Sequence, residues 1–271
     1  MAGHSAPRLA VIAGQGDLPL RLARTVSRQG REVTIFAITG QADADFSEFD
    51  VVEVALGTIG ETRQQIKAAD CTEVAMVGKV RRPSLAQLRP DAHAVKLLAR
   101  AVGKGDDALL RVIASFFEED GISMVPVDRL MPDHVMPEGI LAGAIDATAQ
   151  ADIDCGQAVL ERLGDRDIGQ AIVVQDQRIL AIEAAEGTDE MLARCQGLID
   201  VSAAPAIFLK CAKLAQDRRL DIPVIGVDTL RRAAAAGIGV IACEAGGVLL
   251  SESPDILWQE ADRLGLSVIG I

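Results

Sequence analysis

Acidic and basic side chains are interspersed over residues 183–232, which hold most of the groups that could do chemistry. Carboxylate oxygens suit Mg²⁺, and guanidinium and ammonium groups suit phosphoryl oxygens. A solvated surface would carry the same residue types, but the apolar run 203–209 leads directly into Lys210. Because ligands of α/β proteins bind where buried strands end, the pattern favours a site. The acids are Glu186, Asp189, Glu190, Asp217, Asp221 and Asp228, and the bases are Lys210, Lys213, Arg218 and Arg219.

The composition excludes one class of partner. The chain has 271 residues, enough for two domains, and its 49% apolar content is typical of a globular protein. A net charge of −12 and 3% aromatic residues argue against nucleic-acid binding, which needs a basic face and stacking surfaces. An anionic ligand must therefore meet a local cationic pocket.

The cysteines and the apolar runs indicate a cytoplasmic protein. The five cysteines have no C-x-x-C spacing, and three histidines cannot complete a zinc cluster with them, so we expect free thiols in a reducing compartment. No apolar run approaches the roughly 18 residues of a membrane span, and the N-terminus lacks a signal-peptide core. Residues 1–7 are predicted to be a disordered leader.

A glycine turn follows the first apolar run, RLAVIA. Gly14 and Gly16 precede residues with helical spacing, which predicts a strand, a turn and a helix. Such a turn either lets backbone N–H groups bind a phosphate or is a tight structural turn, and both interpretations stay open. Pro19 replaces the third glycine of the dinucleotide fingerprint, and the second strand ends at residues 39–40 without a ribose-binding acid, which weakens a dehydrogenase interpretation.

Two further segments of the first half carry candidate ligand-binding groups. The predicted strand EVAMV is followed by Lys79, Arg81 and Arg82, and cations at the carboxyl end of a parallel strand could hold phosphate. Asp106 and Asp107 precede a predicted helix. They are helix caps, the favoured interpretation for one of them, or contacts to a ribose, a base or a metal.

Strand-like runs alternate with helical periodicity along the whole chain, which predicts an α/β protein of two domains. The first domain spans residues 8–127 and the second spans residues 138–271. The proline-rich segment 128–137 is the predicted linker. In the second domain, Thr188 is predicted to cap a helix whose first turn contains Asp189 and Glu190.

Five segments together resemble one family. They are IAGQGDLP (12–19), GKVRRP (78–83), GDD (105–107), EGTDEMLAR (186–194) and FLKCAKLAQDRRLDIPVIGVDT (208–229). They resemble the LpxI-type, metal-dependent UDP-2,3-diacylglucosamine pyrophosphatases of lipid A synthesis, which are unrelated to the calcineurin-like enzymes. The resemblance implies an amino-terminal Rossmann-like nucleotide-binding domain, a second α/β catalytic domain, and a substrate held in the cleft between them.

The resemblance also implies a reaction and its residues. The pyrophosphate of UDP-2,3-diacylglucosamine is hydrolysed to UMP and 2,3-diacylglucosamine 1-phosphate with Mg²⁺ or Mn²⁺, water attacking the phosphorus on the sugar side. From the recurring pattern K-x₅-Q-D-x-R-x-D-x-P-x-x-G-x-x-T, the catalytic candidates are Lys210, Asp217, Arg218 and Asp221, with Gln216 also in the pattern. The metal candidates are Asp217, Asp221, Asp189 and Glu186. The substrate-binding candidates are Gly14, Gly16, Lys79, Arg81, Asp106, Asp107, Thr188, Lys213 and Thr229.

In this scheme Asp217 and Asp221 share one ion if their segment is helical or tightly looped, and Lys210 and Arg218 grip phosphoryl oxygens. The plain alternative is a surface pair of Arg218 with Asp221, worth less than about 1 kcal/mol. A second hypothesis is a non-enzymatic nucleotide-sugar sensor. The expected partner is a lipid-linked UDP-sugar, with transient inner-membrane contact as a peripheral protein and a homodimer both left open. No basic amphipathic helix marks that membrane contact.

Overall fold

The computed structural model describes residues 6–81, 90–101, 105–164, 168–213 and 217–271, apart from the side chains of residues 98, 100, 101 and 105–107. Two compact units emerge. Unit 1 consists of Met1–Pro132 together with Asp217–Asp221, and unit 2 consists of Asp133–Gln216 together with Ile222–Ile271. A five-residue segment from the second half of the chain therefore belongs to unit 1.

Unit 1 is built on a parallel sheet. Its elements are β1 (Arg8–Ala13), α1 (Leu18–Arg28), β2 (Val33–Ile38), β3 (Asp50–Val54), α2 (Ile59–Ala68), β4 (Cys71–Val77), α3 (Ala92–Ala101), α4 (Gly105–Glu118), β5 (Ser123–Met124) and α5 (Val127–Leu130). The strand order is β3-β2-β1-β4-β5, and every neighbouring pair is parallel. Buried parallel strands appear in sequence as continuous apolar runs, as in β1.

One carboxylate caps two helices of unit 1. Asp91 Oδ1 accepts a hydrogen bond from the backbone N–H of Ala94 in α3 at 2.7 Å, and its Oδ2 accepts one from Gly60 in α2 at 2.7 Å. Partial burial raises the pKa of Asp91, but hydrogen bonds from these amides and those of Glu61 and His93 outweigh burial, so the pKa is lowered. The charged form of Asp91 therefore stabilises the starts of both helices.

Unit 2 is built on a mixed sheet. Its elements follow a short 3₁₀ turn (Pro132–His134) and are β6 (Gly139–Ala142), α6 (Ala147–Gly164), β7 (Ala171–Gln175), β8 (Arg178–Ile182), α7 (Thr188–Cys195), β9 (Ala206–Lys210), β10 (Val224–Ile225), α8 (Val227–Ala236), β11 (Ile238–Cys243), β12 (Leu249–Leu250), α9 (Pro254–Leu264) and β13 (Ser267–Gly270). The main sheet has the order β6-β13-β11-β9-β7-β8, with parallel β9, β11 and β13 and antiparallel pairs at its edges. A separate parallel pair joins β10 and β12.

A buried aspartate holds the hairpin between β7 and β8. Asp176 and Gln177 have positive φ angles of 50° and 58°, the conformation of a two-residue type I′ turn. The carboxylate of Asp152 in α6 is 1% exposed and accepts hydrogen bonds from both turn amides. This side chain thus offsets part of the strain of two left-handed non-glycine residues.

The α/β class is confirmed, while one local prediction needs correction. Thr188 is the first residue of α7 and its side chain makes no capping bond, so the predicted cap is wrong. The unit boundary falls after Pro132, within the predicted linker 128–137, and Met131 and Met136 of this segment are buried. Residues 1–5 of the predicted leader lie outside the described residues.

The cysteines are free thiols, three of them buried. Burial raises the pKa of Cys211 to about 12, so this thiol stays protonated at neutral pH. In the described part of the chain, no helix combines the length and the apolar character needed to cross a bilayer.

Candidate active site

One leucine of the segment Asp217–Asp221 packs in the core of unit 1. Leu220 is 6% exposed and is part of the apolar core of unit 1, together with Ala114 and Phe117 of α4. Arg219 adds a polar contact, since its Nη1 donates to Glu118 Oε1 of α4 at 2.7 Å. The chain thus leaves unit 2 after residue 216, contributes this segment to unit 1, and returns to unit 2 at residue 222.

Asp217 and Asp221 lie in a tight helical turn. The backbone N–H groups of Leu220 and Asp221 donate to Asp217 O at 2.9 and 3.2 Å. In such a turn, residues four apart are stacked on the same side. This is the local geometry under which the two carboxylates were expected to act together.

The carboxylate of Asp217 is held by Arg219. Nε donates to Oδ1 at 3.0 Å, Nη2 donates to Oδ2 at 2.7 Å, and the backbone N–H of Arg219 donates to Oδ1 at 3.1 Å. These hydrogen bonds lower the pKa of Asp217, and the charge of Arg111 in α4 lowers it further. Asp217 is therefore ionised at neutral pH and suits a charge-stabilising role better than proton donation.

The arginine assignment shifts by one residue. The recurring pattern has its arginine two residues after its aspartate, which is Arg219 and not Arg218. The same residue binds Asp217 in the structure. Arg218 is exposed, and its predicted contact with phosphate stays a prediction. Sequence reasoning also missed Arg111, although it shares a helical face with Glu118, seven residues on.

Lys210 and Thr188 meet inside unit 2. Lys210 is 5% exposed, and its Nζ donates to Thr188 Oγ1 and to Val224 O, both at 3.0 Å. The Thr188 hydroxyl donates to Glu183 Oε1 at 2.7 Å, and Glu183 Oε2 accepts from the backbone N–H of Gln170 at 3.0 Å. The structure therefore brings together two predicted residues and adds Glu183, which the sequence analysis did not single out.

The other two predicted metal ligands each face an arginine. Arg194 Nη2 donates to Glu186 Oε1 at 3.0 Å. The backbone N–H of Glu186 and the side chain of Arg194 both donate hydrogen bonds to this carboxylate, and they lower the pKa of Glu186 although burial raises it. Asp189 Oδ1 lies 3.6 Å from Arg232 Nε. Both acids sit near the start of α7, where the helix dipole favours negative charge.

The described part of the chain contains no group of three or more His, Cys, Asp or Glu side chains arranged to hold a metal ion. Asp217 and Asp221 lie in unit 1, whereas Glu186 and Asp189 lie in unit 2. Mg²⁺ is commonly bound through one or two carboxylates, with water and substrate phosphates completing its shell. The ionised Asp217 beside Asp221 fits that donor requirement in chemical type.

The glycine turn of unit 1 lies at the topological switch point, where β1 is flanked by β2 and β4. Its amides already have partners: Gly14 N donates to Val77 O at 2.9 Å, and Gly16 N donates to Asp43 Oδ1 at 2.7 Å. A Cβ on Gly14 would lie 2.7 Å from Gly78 O, so the close approach of two loops requires this glycine. A phosphate at Gly16 would have to displace Asp43.

The remaining predicted residues have varied settings. Lys79 and Arg81 are exposed after β4, and Arg81 N donates to Gln41 Oε1 at 3.0 Å. Thr229 Oγ1 accepts from Gly226 N at 3.3 Å at the start of α8. Lys213 is half-buried in the loop after β9. Arg82, Gln216 and the side chains of Asp106 and Asp107 lie outside the described residues, although both aspartates are in the first turn of α4.

Comparisons with known proteins identify the family. Two solved structures have low TM-scores, and at these values neither supports an argument about fold or function. UDP-N-acetylglucosamine 4-epimerase from Bacillus cereus has a TM-score of 0.33 and 12% identity, covering 98% of this chain and 75% of that chain. CobK precorrin-6A reductase has a TM-score of 0.35 and 11% identity, covering 98% of this chain and 87% of that chain.

A curated relative matches throughout. UDP-2,3-diacylglucosamine pyrophosphatase LpxI of Caulobacter vibrioides is 36% identical over 273 residues, which cover 97% of each chain. The family model described as LpxI N-terminal domain matches residues 8–134, and the LpxI C-terminal domain matches residues 137–269. The chain belongs to the LpxI family.

Proposed function

We propose that this chain hydrolyses the pyrophosphate bond of UDP-2,3-diacylglucosamine to UMP and 2,3-diacylglucosamine 1-phosphate in lipid A biosynthesis. The observation that carries the proposal is the 36% identity, over 97% of both chains, to a relative named for this activity. In the reaction, a water oxygen bonds to phosphorus on the sugar side, the bond from that phosphorus to the bridging oxygen breaks, and UMP leaves. The protons of the water are released to solvent or to a nearby base.

We place the chemistry at the Asp217–Asp221 turn. A pyrophosphate repels an incoming nucleophile with its own oxygens, so the site must supply positive charge and hold a water molecule. Arg218 and Arg111 are the cations we assign to phosphoryl oxygens. Arg219 is committed to Asp217, so its role is to keep that carboxylate charged and oriented. A carboxylate that stays ionised can orient the attacking water.

Asp217 and Asp221 are also the ligands we assign to Mg²⁺ or Mn²⁺, with Glu186 and Asp189 as further candidates from unit 2. Bound there, the ion would neutralise charge on the pyrophosphate oxygens. The support is the donor type, since carboxylate oxygens suit hard cations. Each of Asp217, Glu186 and Asp189 has an arginine neighbour that an incoming ion would have to displace or share.

For the nucleotide, we propose a Rossmann-like site at the switch point of unit 1. The strand order β3-β2-β1-β4-β5 supports it, because α/β sheets of this order bind ligands beyond the carboxyl ends of the strands at the reversal. Gly14 and Gly16 end β1, and Lys79 and Arg81 follow β4. Lys79 and Arg81 are exposed cations at that edge and suit the phosphates of UDP.

The decisive assay measures UMP release from UDP-2,3-diacylglucosamine with Mg²⁺, with and without chelator, for wild type, Asp217→Ala and Asp221→Ala. We expect each substitution to lower kcat on the order of a hundredfold or more, since removing a metal ligand costs a few kcal/mol in the barrier. Asp228→Asn is the matched control, because this acid follows the turn and its side chain is 87% exposed. Equal turnover by all four proteins would refute the site.

The same assay separates the enzyme from a non-enzymatic nucleotide-sugar sensor, which would bind UDP compounds without releasing UMP. The name of the curated relative favours the enzyme. Because the substrate carries both a nucleotide and two acyl chains, we place the reaction in the cytoplasm at the surface of the inner membrane. Flotation with vesicles of inner-membrane lipids tests that location.

A further inference from the structure

A hydroxyl bridges two buried charges of opposite sign in unit 2. Lys210 is 5% exposed and Glu183 is 7% exposed. The Thr188 hydroxyl accepts a hydrogen bond from Lys210 Nζ at 3.0 Å and donates one to Glu183 Oε1 at 2.7 Å. Buried charges are costly unless they are paired and hydrogen-bonded, so these three groups depend on one another.

The sheet explains how the two charges meet. Lys210 pairs with Ala171 in the register of β9 and β7, and Glu183 N donates to Ala171 O at 2.9 Å on the other side of β7. Residues in one cross-strand row point to the same face of a sheet. Ala171 is small, so the longer side chains that flank it can both reach Thr188 at the start of α7.

The network also closes a loop. Lys210 is the last residue of β9, Val224 is the first residue of β10, and Lys210 Nζ donates to Val224 O at 3.0 Å. The thirteen residues between them, 211–223, include Asp217 and Asp221. One ammonium group therefore joins the two ends of the loop that carries the candidate catalytic carboxylates.

We propose that Lys210 is a positioning residue: with Thr188 and Glu183 it fixes the base of loop 211–223 and does not itself grip phosphoryl oxygens. This rests on the proposed function for its catalytic consequence, but its structural part is testable without substrate. Leu220 fixes the same loop near its middle by packing in the core of unit 1. Loss of the contacts at the base should loosen the turn without removing any group that touches substrate.

The first test is hydrogen exchange without substrate. The amide protons of Leu220 and Asp221, which donate to Asp217 O, report whether the turn is closed. We expect Thr188→Val to accelerate their exchange roughly tenfold, because both hydrogen bonds of the hydroxyl are lost and the two charged groups lose their bridge. Thr188→Ser is the matched control, since it keeps the hydroxyl and should exchange like wild type. Unchanged exchange in Thr188→Val would overturn the proposal.

The second test is steady-state kinetics of UMP release. We expect Thr188→Val and Lys210→Met each to lower kcat about tenfold with KM within about twofold of wild type, and the double variant to be no slower than Lys210→Met. If Lys210 instead grips phosphate, Lys210→Met will raise KM while Thr188→Val stays near wild type, and the proposal is wrong. Glu183→Gln, which removes the charge at constant volume, is the second variant if Thr188→Val does not fold, and the same acceleration of exchange is expected.

The two tests distinguish failure of the positioning role from failure of the proposed function. If exchange accelerates as expected but wild type releases no UMP, the positioning role stands and the proposed function fails. If wild type releases UMP but Thr188→Val changes neither exchange nor kcat, the proposed function stands and the positioning role fails.

Discussion

Leu220→Ala tests whether one apolar contact places the candidate catalytic turn. Leu220 is 6% exposed in the core of unit 1, and the substitution removes three buried carbons. At about 0.8 kcal/mol for each buried methylene, the loss is about 2.4 kcal/mol. Leu→Ala substitutions in protein cores cost about 2–5 kcal/mol, depending on how well the site collapses. The exposed neighbours Arg218 and Arg219 allow some collapse, so we expect a value near the lower end.

A loss of about 2.4 kcal/mol corresponds to roughly a fiftyfold shift in the equilibrium between the docked and undocked turn. If docking places Asp217 for catalysis, kcat for UMP release should fall at least about tenfold in Leu220→Ala. Leu257→Ala is the matched control, because Leu257 is fully buried in α9 of unit 2, a helix that contains no candidate site residue. Leu257→Ala should lower the free energy of unfolding by as much as Leu220→Ala or more.

The assay is UMP release at a temperature where urea titration finds both variants folded. We expect kcat of Leu257→Ala to stay within about twofold of wild type under those conditions. The reasoning is refuted if both variants lose kcat by the same factor, or if Leu220→Ala keeps the kcat of wild type. Either result would mean that the turn does not need its anchor in unit 1.

Two predictions concern stability. Asp91→Ala should lower the free energy of unfolding by about 1–2 kcal/mol at pH 7, because two helix starts lose their cap. The folded-state pKa of Asp91 is lowered, so its contribution is present above the ordinary pKa of aspartate and lost as pH falls through the folded value. The free energies of unfolding of wild type and Asp91→Ala, measured by urea titration, should therefore converge as pH falls towards 3. An equal difference between the two proteins at pH 7 and at pH 3 would contradict the role of Asp91. Gln177→Gly should stabilise the protein by about 0.5–1 kcal/mol, because glycine adopts a φ of 58° without strain and the hydrogen bond to Asp152 is kept. A lower melting temperature for Gln177→Gly would count against it.

The strands that the sequence predicts best are those whose apolar runs end abruptly. The strand Arg8–Ala13 coincides with the predicted run RLAVIA, and Cys71–Val77 contains the predicted strand EVAMV, because a glycine follows each run of β-forming residues. The short strands β6 and β10 were not predicted. Their pairing is set by distant partners, β13 and β12, and a two-residue strand leaves no period in the sequence.

The site was harder to predict than the strands, because its contacts are long-range. Leu220 stands among charged residues in the segment DRRLD, which has the pattern of a surface turn, yet it is buried in a core whose other residues lie about a hundred or more positions earlier. Arg111 acts on Asp217 across a similar separation. Neither relation produces a local pattern, so the sequence offers Asp217 as a candidate but does not show the groups that hold it in place.

Thr188 shows how a local pattern can predict the wrong structural role for a residue. A threonine before two acids has the pattern of a helix cap. In the structure, the hydroxyl bonds to Glu183 and Lys210 at the same time, and burial favours these hydrogen bonds over a capping bond. The cap position passes to Gly187, whose φ of 83° suits a residue without a Cβ. The sequence pattern matches that of a helix cap, but the tertiary hydrogen bonds of Thr188 replace the capping bond.

The charge distribution explains how an acidic protein can handle an anionic substrate. A net charge of −12 acts over distance, but salt screens exposed charges beyond about 8 Å at physiological ionic strength. At shorter range, Arg219 lies against Asp217, Arg194 against Glu186 and Arg232 near Asp189. Each acid therefore presents a partly neutralised pair to an approaching phosphate and not a bare negative charge. In the proposed site, a pyrophosphate or a metal ion would bind by exchanging partners within such a pair, so local pairing would matter more to binding than net charge.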